Sequence, residues 1–137
     1  MGLIHLDAGV IIGFLNRHDV HHEASRTVIS EAMNHGDRLE ASVTVYAECH
    51  VGPMRSGSEA VRLVEEFFEQ LPISIVVMSR DIAFEAARLR AVNSSLRLPD
   101  ALVIATAVDR QADRLVTTDG RWPSKVTKKS SLKIQRI

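Results

Sequence analysis

The sequence predicts an α/β fold, a three-layer sandwich in which helices flank a mostly parallel central sheet of about four to five strands. Short apolar runs typical of strands alternate with longer segments whose apolar residues recur at helical spacing. The connections between these segments are short, as they are where strands and helices alternate. Hydrophobic residues make up 45% of the 137 residues, enough to bury the core of a single domain spanning 1–137.

The first predicted elements are a strand and two helices. Residues 3–6 form a short apolar run, and residues 11–15 place apolar side chains at spacings that a short helix would bury. Residues from about 20 to 35 are polar and compatible with a helix. Gly36 follows them, and glycine is typical of the position just after a helix. The chain is therefore expected to turn back toward the sheet at Gly36.

The middle of the chain is predicted to hold two strands and two helices. Residues 39–43 are expected to form the second strand, and a helix starts near Thr44. Gly52-Pro53 is expected to end or kink this helix, because proline removes a backbone donor. Apolar residues over 61–71 repeat at helical spacing, and the β-branched run at 73–78 predicts the third strand.

The remaining elements complete the alternation. Residues 82–92 carry apolar side chains at helical spacing, and Asn93-Ser94-Ser95 interrupts them. Pro99 opens another helix, since proline is favoured in the first helical turn. The fourth strand follows at 114–117, and apolar positions over 132–137 suit an edge strand.

Composition excludes several classes of protein. Seventeen Lys and Arg balance seventeen Asp and Glu, so any contact with nucleic acid must come from local charge. The single cysteine, Cys49, excludes an internal disulfide and a paired-thiolate zinc site. The apolar stretch at 9–15 is too short to span a membrane and lacks the flanks of a signal peptide. We therefore expect a cytoplasmic protein with no membrane contact.

Four acidic residues lie at the edges of apolar segments in separate parts of the chain. Asp7 and Asp119 follow the first and fourth predicted strands, Asp100 lies in the first turn of a helix, and Glu48 lies within the first turns of another. In open α/β sheets, ligands bind beyond the carboxyl ends of the strands, where all four would face one crevice. Gathered carboxylates repel one another without a cation, and oxygen ligands suit Mg²⁺ or Mn²⁺. The sequence therefore predicts a metal site and phosphate chemistry.

Each acid also has a structural explanation that the sequence leaves open. Asp100 follows Pro99 and would complement a helix dipole, and Asp119-Gly120 is a common turn pair. Glu48 could belong to a solvated helix face. Asp7 is harder to explain in this way, because an unpaired carboxylate between two apolar runs is costly. Together the four acids favour one site over four unrelated positions.

The same segments carry a resemblance to a known family. The stretches LDAGVIIGFLN, TVYAEC, LPDALVIATAV and LVTTDGRW occur in the order and near the separations of PIN-domain ribonucleases of the VapC type. These proteins are the toxins of bacterial toxin-antitoxin pairs, and the resemblance covers nearly the whole chain. It implies a PIN-like fold, a Mg²⁺- or Mn²⁺-dependent endoribonuclease, a homodimer, and inhibition by a small cognate VapB-like antitoxin. It also suggests tRNA or ribosomal RNA as the substrate.

The resemblance assigns the catalytic and metal-binding carboxylates to Asp7, Glu48, Asp100 and Asp119. The resulting hypothesis is hydrolysis of an RNA phosphodiester by a metal-activated water, with no protein nucleophile. Asp7, Glu48 and Asp100 would hold one ion, and Asp119 would complete that site or help to hold a second. The family implies 5′-phosphate and 3′-hydroxyl ends. Thr117 matches a family hydroxyl and is predicted to orient Asp119 or a metal-bound water.

Basic residues near the motifs are candidates for contacts with RNA phosphates, which supply most nonspecific affinity. These candidates are Arg55, Arg97, Arg121 and Lys125. Aromatic residues make up 4% of the chain, too few near the motifs to stack several bases. A structured or specific RNA is therefore favoured over processive binding of a single strand.

Two residues depart from the family pattern and keep an alternative open. Ala8 and Gly9 stand where the family usually has Ser or Thr followed by Asn or Ser, so a polar partner near the metal is missing. A non-catalytic PIN-fold binding module that acts through protein contacts is therefore the alternative. A haloacid-dehalogenase-like phosphatase would need a second Asp at the position of Gly9.

Other residues that suggest chemistry are given structural interpretations. His5 is expected in the core or sheet, and Cys49 is expected to be a small buried hydrophobe. His18, His21 and His22 with Glu23 lack a further ligand to complete a zinc site, so solvent-facing histidines are expected.

Overall fold

The computed structural model describes residues 1–123, 126 and 130–137. In these residues, five strands and six helices alternate along the chain. The elements are, in order, β1 (Leu3–Leu6), α1 (Ala8–Leu15), α2 (His22–Asn34), β2 (Arg38–Ser42), α3 (Val43–Ser56), α4 (Ser58–Gln70), β3 (Ile73–Val76), α5 (Arg80–Val92), α6 (Leu98–Asp109), β4 (Arg114–Thr117) and β5 (Lys133–Arg136). No helix in the described ranges is long and apolar enough to cross a membrane.

The five strands form one parallel sheet in the order β3-β2-β1-β4-β5. All four residues of the central strand β1 are buried, and the apolar residues of β2 and β4 are buried with them. Such continuous apolar strands are typical of parallel sheets that are covered on both faces. The predicted α/β sandwich with a mostly parallel sheet is confirmed.

Side chains cap the starts of three helices, and two of these helices, α1 and α3, follow their strands directly. Asp7 accepts a hydrogen bond from the Ala8 amide at 2.8 Å and begins α1. Ser42 accepts one from the Val45 amide at 3.2 Å and begins α3, and Ser79 caps α5 in the same way. Such caps satisfy amides that a helix start leaves free. The N-termini of α1 and α3 therefore lie at the carboxyl edge of the sheet.

Two predicted strand ends were wrong. The third strand was expected to reach residue 78, but β3 ends at Val76. Val43 was expected in the second strand, but the Ser42 cap makes it the first residue of α3. Gly52-Pro53 was expected to end or kink α3; the helix does not end there but continues to Ser56. Proline removes one backbone donor, and hydrogen bonding resumes beyond it because the Gly57 amide donates to the Pro53 carbonyl at 3.0 Å. Gly57 ends the helix with a φ of 130°, which suits glycine.

An ion pair between a buried carboxylate and an exposed guanidinium ties the far end of α6 to the centre of the sheet. Glu40 on β2 is 3% exposed, and the Arg110 guanidinium donates to both of its carboxylate oxygens, at 2.6 Å for the shortest contact. His5, fully buried on β1, lies beside it with its Nδ1 at 3.9 Å. Burial favours a raised pKa for Glu40, but the polar contacts of His5 and Arg110 outweigh it and lower that pKa to about 2. This pair fixes how α6 lies against the sheet.

Candidate active site

Asp7 is the most constrained of the four predicted acids. It is 8% exposed, its Oδ1 accepts from the Ala8 amide, and its Oδ2 accepts from the Thr117 hydroxyl at 2.6 Å. No described Arg, Lys or His forms an ion pair with it. Burial raises its pKa, the two hydrogen bonds oppose that rise, and the charges of Asp100 and Asp119 add to it. Asp7 is thus a buried carboxylate that lacks a compensating cation.

Thr117 connects two of the acids. It is the last residue of β4 and is fully buried. Besides donating to Asp7, its hydroxyl oxygen accepts from the Asp119 amide at 3.0 Å. One hydroxyl therefore fixes the Asp7 carboxylate and the backbone of the turn that carries Asp119. The predicted link from Thr117 to the last acid exists through the backbone, and its role in catalysis stays a prediction.

Glu48 approaches from α3, about one and a half turns after the Ser42 cap. The side chain lies at the surface. Partial burial raises its pKa, the charges of Asp7 and Asp100 raise it further, and Arg97 opposes them. These mutual charge effects place Glu48 within electrostatic reach of two of the other acids.

Asp100 and Asp119 each face an arginine from their own segment. Arg97 directly precedes α6, and its Nε donates at 3.3 Å to Oδ2 of Asp100 in the first turn of that helix. The Arg121 guanidinium donates to both oxygens of Asp119, at 3.2 and 3.1 Å, and the Arg121 amide donates at 2.8 Å. The hydrogen bonds from Arg121 hold the pKa of Asp119 below its ordinary value. Each of these acids therefore already has a cationic partner.

The structure thus brings the four predicted acids to one edge of the sheet, where their charges affect one another. Within the described ranges, no three His, Cys, Asp or Glu side chains are gathered closely enough to hold a metal as they stand. The chemistry of the donors nevertheless fits a hard divalent cation, because every candidate ligand is a carboxylate and the innermost one has no cationic partner.

Gly9 accounts for one departure from the family pattern. A Cβ at this position would overlap the hydroxyl oxygen of Thr118, the residue that follows β4. The start of α1 therefore packs directly on the β4 turn. A polar side chain at residue 9 would displace that turn, so the glycine serves close packing here.

The structure places some of the predicted RNA-contact residues beside the acids and one of them farther away. Arg97 and Arg121 border the acids, while Arg55 is exposed in the last turn of α3, about 10 Å along the helix from Glu48. Lys125 lies outside the described residues. Sequence reasoning missed Arg136, which lies opposite Thr117 in the register of β4 and β5. The basic character of the C-terminal segment was the available signal, but the register that selects this residue is not visible in the sequence.

His5, Cys49 and His18 occupy the places expected of them, whereas His21 and His22 are half-buried and do not face solvent as expected. His5 and Cys49 are buried, and burial raises the pKa of the Cys49 thiol to about 12. His18 is exposed. His22 contacts the Gly13 carbonyl at 2.8 Å through its Nδ1, which indicates a role in joining α1 and α2. Neither Cys49 nor these histidines show the geometry of a nucleophile or a zinc site among the described residues.

A sequence model of the PIN domain matches residues 4–128, which include all four acids. The chain belongs to the PIN domain family. The fold of this PIN domain and the edge at which its acids meet agree with the expectation drawn from its four motifs. No curated protein sequence matches the chain.

Solved structures share the fold of this PIN domain at low sequence identity. VapBC-1 from nontypeable Haemophilus influenzae is 20% identical with a TM-score of 0.74, covering 98% of this chain and 97% of that one. DNA-bound VapBC from Salmonella typhimurium is 17% identical with a TM-score of 0.73, covering 99% and 98%. VapC20 from Mycobacterium tuberculosis, a toxin that cleaves the sarcin-ricin loop, is 15% identical with a TM-score of 0.72, covering 85% and 90%. The likeness to VapC toxins extends over nearly the full length.

Proposed function

We propose that this PIN domain is a VapC-like toxin, a metal-dependent endoribonuclease that uses Asp7, Glu48, Asp100 and Asp119. The single observation that carries the proposal is the environment of Asp7. A buried carboxylate without a cationic partner, with three more carboxylates nearby, is costly unless a cation binds there. Its position at the carboxyl edge of a parallel sheet is where substrates of open α/β folds bind.

The carboxylates, Thr117 and two arginines have separate roles in this proposal. Thr117 and the Ala8 amide hold the Asp7 carboxylate in one orientation, so that Asp7, Glu48 and Asp100 would bind one ion, and Asp119 would complete the site. A Mg²⁺ or Mn²⁺ bound there would supply an acidified water and neutralise charge on the phosphoryl group. Arg97 and Arg121 carry positive charge at the same edge, where a scissile phosphate must lie.

To bind a metal ion, Asp100 and Asp119 would have to release their partners Arg97 and Arg121. Both acids are paired with exposed arginines, and exposed ion pairs contribute little to stability, typically below about 1 kcal/mol. A divalent cation can therefore take these carboxylates from Arg97 and Arg121 at small cost. The two released guanidiniums would then be available for phosphate oxygens, which they bind in a bidentate manner.

A groove beside Glu48 supports the proposed antitoxin partner. It has a volume of about 470 Å³ and is lined by Ile12, Leu15, Asn16, Glu48, Cys49, Gly52, Pro53, Ser56 and Ala60. Ile12 and Leu15 were expected to be buried by α1, yet they are 39% and 36% exposed. An apolar segment of a VapB-like antitoxin that lies in this groove would end next to the acids and block the site.

Exposed apolar residues that do not line this groove support a homodimer. Phe84 on α5 is 75% exposed and Met54 on α3 is 68% exposed, although Phe84 belongs to the apolar repeat that predicted α5. Large apolar side chains in such positions are typical of protein interfaces. We propose that a second copy covers Phe84, and Phe84→Glu should convert a dimer into a monomer in light-scattering measurements.

Cleavage of RNA tests the proposal directly. Antitoxin-free protein should cleave total tRNA or ribosomal RNA with Mg²⁺ or Mn²⁺ and leave it intact with chelator. Asp7→Asn and Asp100→Asn should abolish cleavage. Asp81→Asn is the matched control, because Asp81 also lies in the first turn of a helix but outside the site. Folded wild-type protein that cleaves no RNA under any metal condition would favour the alternative, a non-catalytic PIN-fold binding module.

A further inference from the structure

Arg136 lies at the same edge of the sheet as the four acids, although it belongs to none of the four motifs. It is the last residue of β5 and pairs in register with Thr117, the residue whose hydroxyl holds Asp7. Because β4 and β5 are parallel, Arg136 reaches the carboxyl edge where Asp119 lies. The Ile137 amide donates to the Thr117 carbonyl at 3.0 Å and fixes this register.

The guanidinium of Arg136 lies against the backbone of Gly120. A Cβ built on Gly120 would overlap the Arg136 guanidinium, so the glycine leaves the space that this group occupies. The two residues line a shallow depression of about 460 Å³ together with Thr118, Asp119 and Arg121. The depression therefore places two guanidiniums directly beside Asp119, a predicted metal ligand.

Arg136 differs from the other arginines at this edge because its charge is not compensated. Arg97 pairs with Asp100 and Arg121 pairs with Asp119. The Arg136 side chain is exposed, and its guanidinium forms no hydrogen bond or ion pair with any residue in the described ranges. A fixed cation beside an acidic site matters for a polyanionic substrate, because the carboxylates alone would repel it.

We propose that Arg136 binds a backbone phosphate of the RNA substrate next to the scissile bond, as a substrate-binding residue. This inference rests on the proposed ribonuclease function and deepens it. A guanidinium suits the task because its planar fork can donate two hydrogen bonds to one phosphate. The polar lining of the depression favours a phosphate over an apolar protein side chain. The contact would be independent of base identity, since it is made to the backbone.

Equilibrium binding of a fluorescein-labelled, mixed-sequence single-stranded RNA oligonucleotide in chelator tests the proposal without cleavage. Arg136→Gln should weaken binding about tenfold at low salt, the value of a lost charged contact. The slope of log affinity against log salt should also fall, by about 0.7 for one phosphate contact. Arg38→Gln is the matched control, because Arg38 is an exposed strand arginine at the opposite edge of the sheet and should leave both values unchanged.

Gly120→Ala supplies a second variant with a separate readout. Its Cβ would push the Arg136 guanidinium away without changing any charge. It should therefore weaken RNA binding in the wild-type background and have no further effect when Arg136 is already Gln. Arg136→Lys should fall between wild type and Gln, because it keeps the charge and loses the fork. Melting temperatures should stay near that of wild type throughout, since Arg136 is exposed.

The outcomes separate this inference from the ribonuclease function. If wild type cleaves RNA but Arg136→Gln binds it with unchanged affinity and salt slope, Arg136 is not a phosphate contact and the ribonuclease proposal stands. If wild type binds RNA through Arg136 but cleaves none with Mg²⁺ or Mn²⁺, the phosphate contact stands and the ribonuclease proposal fails. A protein that binds no RNA in chelator overturns the phosphate contact, and one that also cleaves no RNA with Mg²⁺ or Mn²⁺ overturns both. A loss confined to binding of a partner protein overturns the assignment of Arg136 to RNA.

Discussion

The Thr117 hydroxyl donates to the Asp7 carboxylate at 2.6 Å, and both residues are buried although 110 positions separate them in the sequence. Thr117 ends β4, and Asp7 caps α1 after β1. These two strands are neighbours in the sheet, with Leu6 in register with Val116. One hydrogen bond therefore joins the first acid of the site to the turn that carries the last.

Replacing Thr117 with valine removes this hydroxyl while keeping the shape of the side chain. The Asp7 carboxylate loses a donor and the Asp119 amide loses an acceptor, so we expect a loss of about 1.5 to 3 kcal/mol in the free energy of unfolding. Metal affinity should fall about 10- to 100-fold, as it does when partners of metal ligands are removed. Urea denaturation and a metal titration measure the two effects.

Thr106→Val is the matched control for that variant. Thr106 is equally buried, but its hydroxyl donates to the Leu102 carbonyl within α6 and does not touch an acid of the site. It should lower stability without changing metal affinity. Equal losses of metal affinity in both variants would show that Thr117 acts through the fold alone.

The charge on Asp7 should destabilise the metal-free protein at neutral pH. Burial raises the pKa of Asp7 above the ordinary value of 3.8, so between these two pKa values the folded state binds more protons than the unfolded state. Stability therefore falls as pH rises through that window and stays lower above it. Asp7→Asn, which can still accept from the Ala8 amide, should melt at a higher temperature than wild type at pH 7 in chelator.

Asp119→Asn should shift stability in the opposite direction. Hydrogen bonds from Arg121 hold the pKa of Asp119 below 3.8, so its ionised form contributes stability that is present above 3.8 and lost as pH falls. This variant should melt at a lower temperature than wild type at pH 7. If Asp7→Asn and Asp119→Asn lower the melting temperature alike, the buried Asp7 is not the uncompensated charge of the site.

Glu40 should dominate unfolding in acid. Its pKa is lowered from 4.5 to about 2, so the stability it contributes is complete above pH 4.5 and is lost as pH falls toward 2. Because the group is 3% exposed, the contribution is on the order of 3 kcal/mol. Glu40→Gln should lose about that much at pH 7, since it removes the buried negative charge that Arg110 and His5 contact. The melting temperature of this variant should then change less between pH 2 and pH 5 than that of wild type. An equally steep dependence of the melting temperature on pH would contradict this role of Glu40.

Gly9→Ala should destabilise the protein although alanine favours helices by about 1 kcal/mol over glycine. The added Cβ overlaps the Thr118 hydroxyl oxygen, so the start of α1 and the β4 turn must separate. Thr118→Ala removes the overlapping atom and should restore the stability of the double variant. A Gly9→Ala protein that melts above wild type would show that the two segments are not packed as described.

Sequence patterns were sufficient for the order of elements and for the edge of the sheet at which the four acids lie. Asp7 and Asp119 could be placed at one edge because residues that follow parallel strands share an edge, a property of topology alone. Patterns failed where a tertiary contact decides the outcome. From the sequence, residue 9 is only a position where a polar residue of the family pattern is absent. The packing of Gly9 against Thr118 depends on two strands that lie far apart in the chain.

The arginines near the acids also divide into those that the sequence indicates and one that depends on a tertiary contact. Proximity in sequence was sufficient to place Arg97 and Arg121 beside the acids, because each contacts an acid two or three residues away, and their contact with RNA stays a prediction. Arg136 could not be selected in this way, since only the pairing of β5 with β4 brings it opposite Thr117. Likewise, the helical repeat of α5 cannot reveal that Phe84 remains 75% exposed.

The first measurement to make is whether a metal ion stabilises the protein through the four carboxylates. Melting temperatures of antitoxin-free wild type, Asp100→Asn and Asp81→Asn should be compared in chelator and in Mn²⁺. Wild type should gain about 2.7 kcal/mol at a hundredfold excess of Mn²⁺ over its dissociation constant. Asp81→Asn should gain the same, because it loses only a helix-dipole charge. Asp100→Asn should respond much less. No stabilisation of wild type by millimolar Mn²⁺, or an equal response in Asp100→Asn, would contradict the account of the four carboxylates as a metal site.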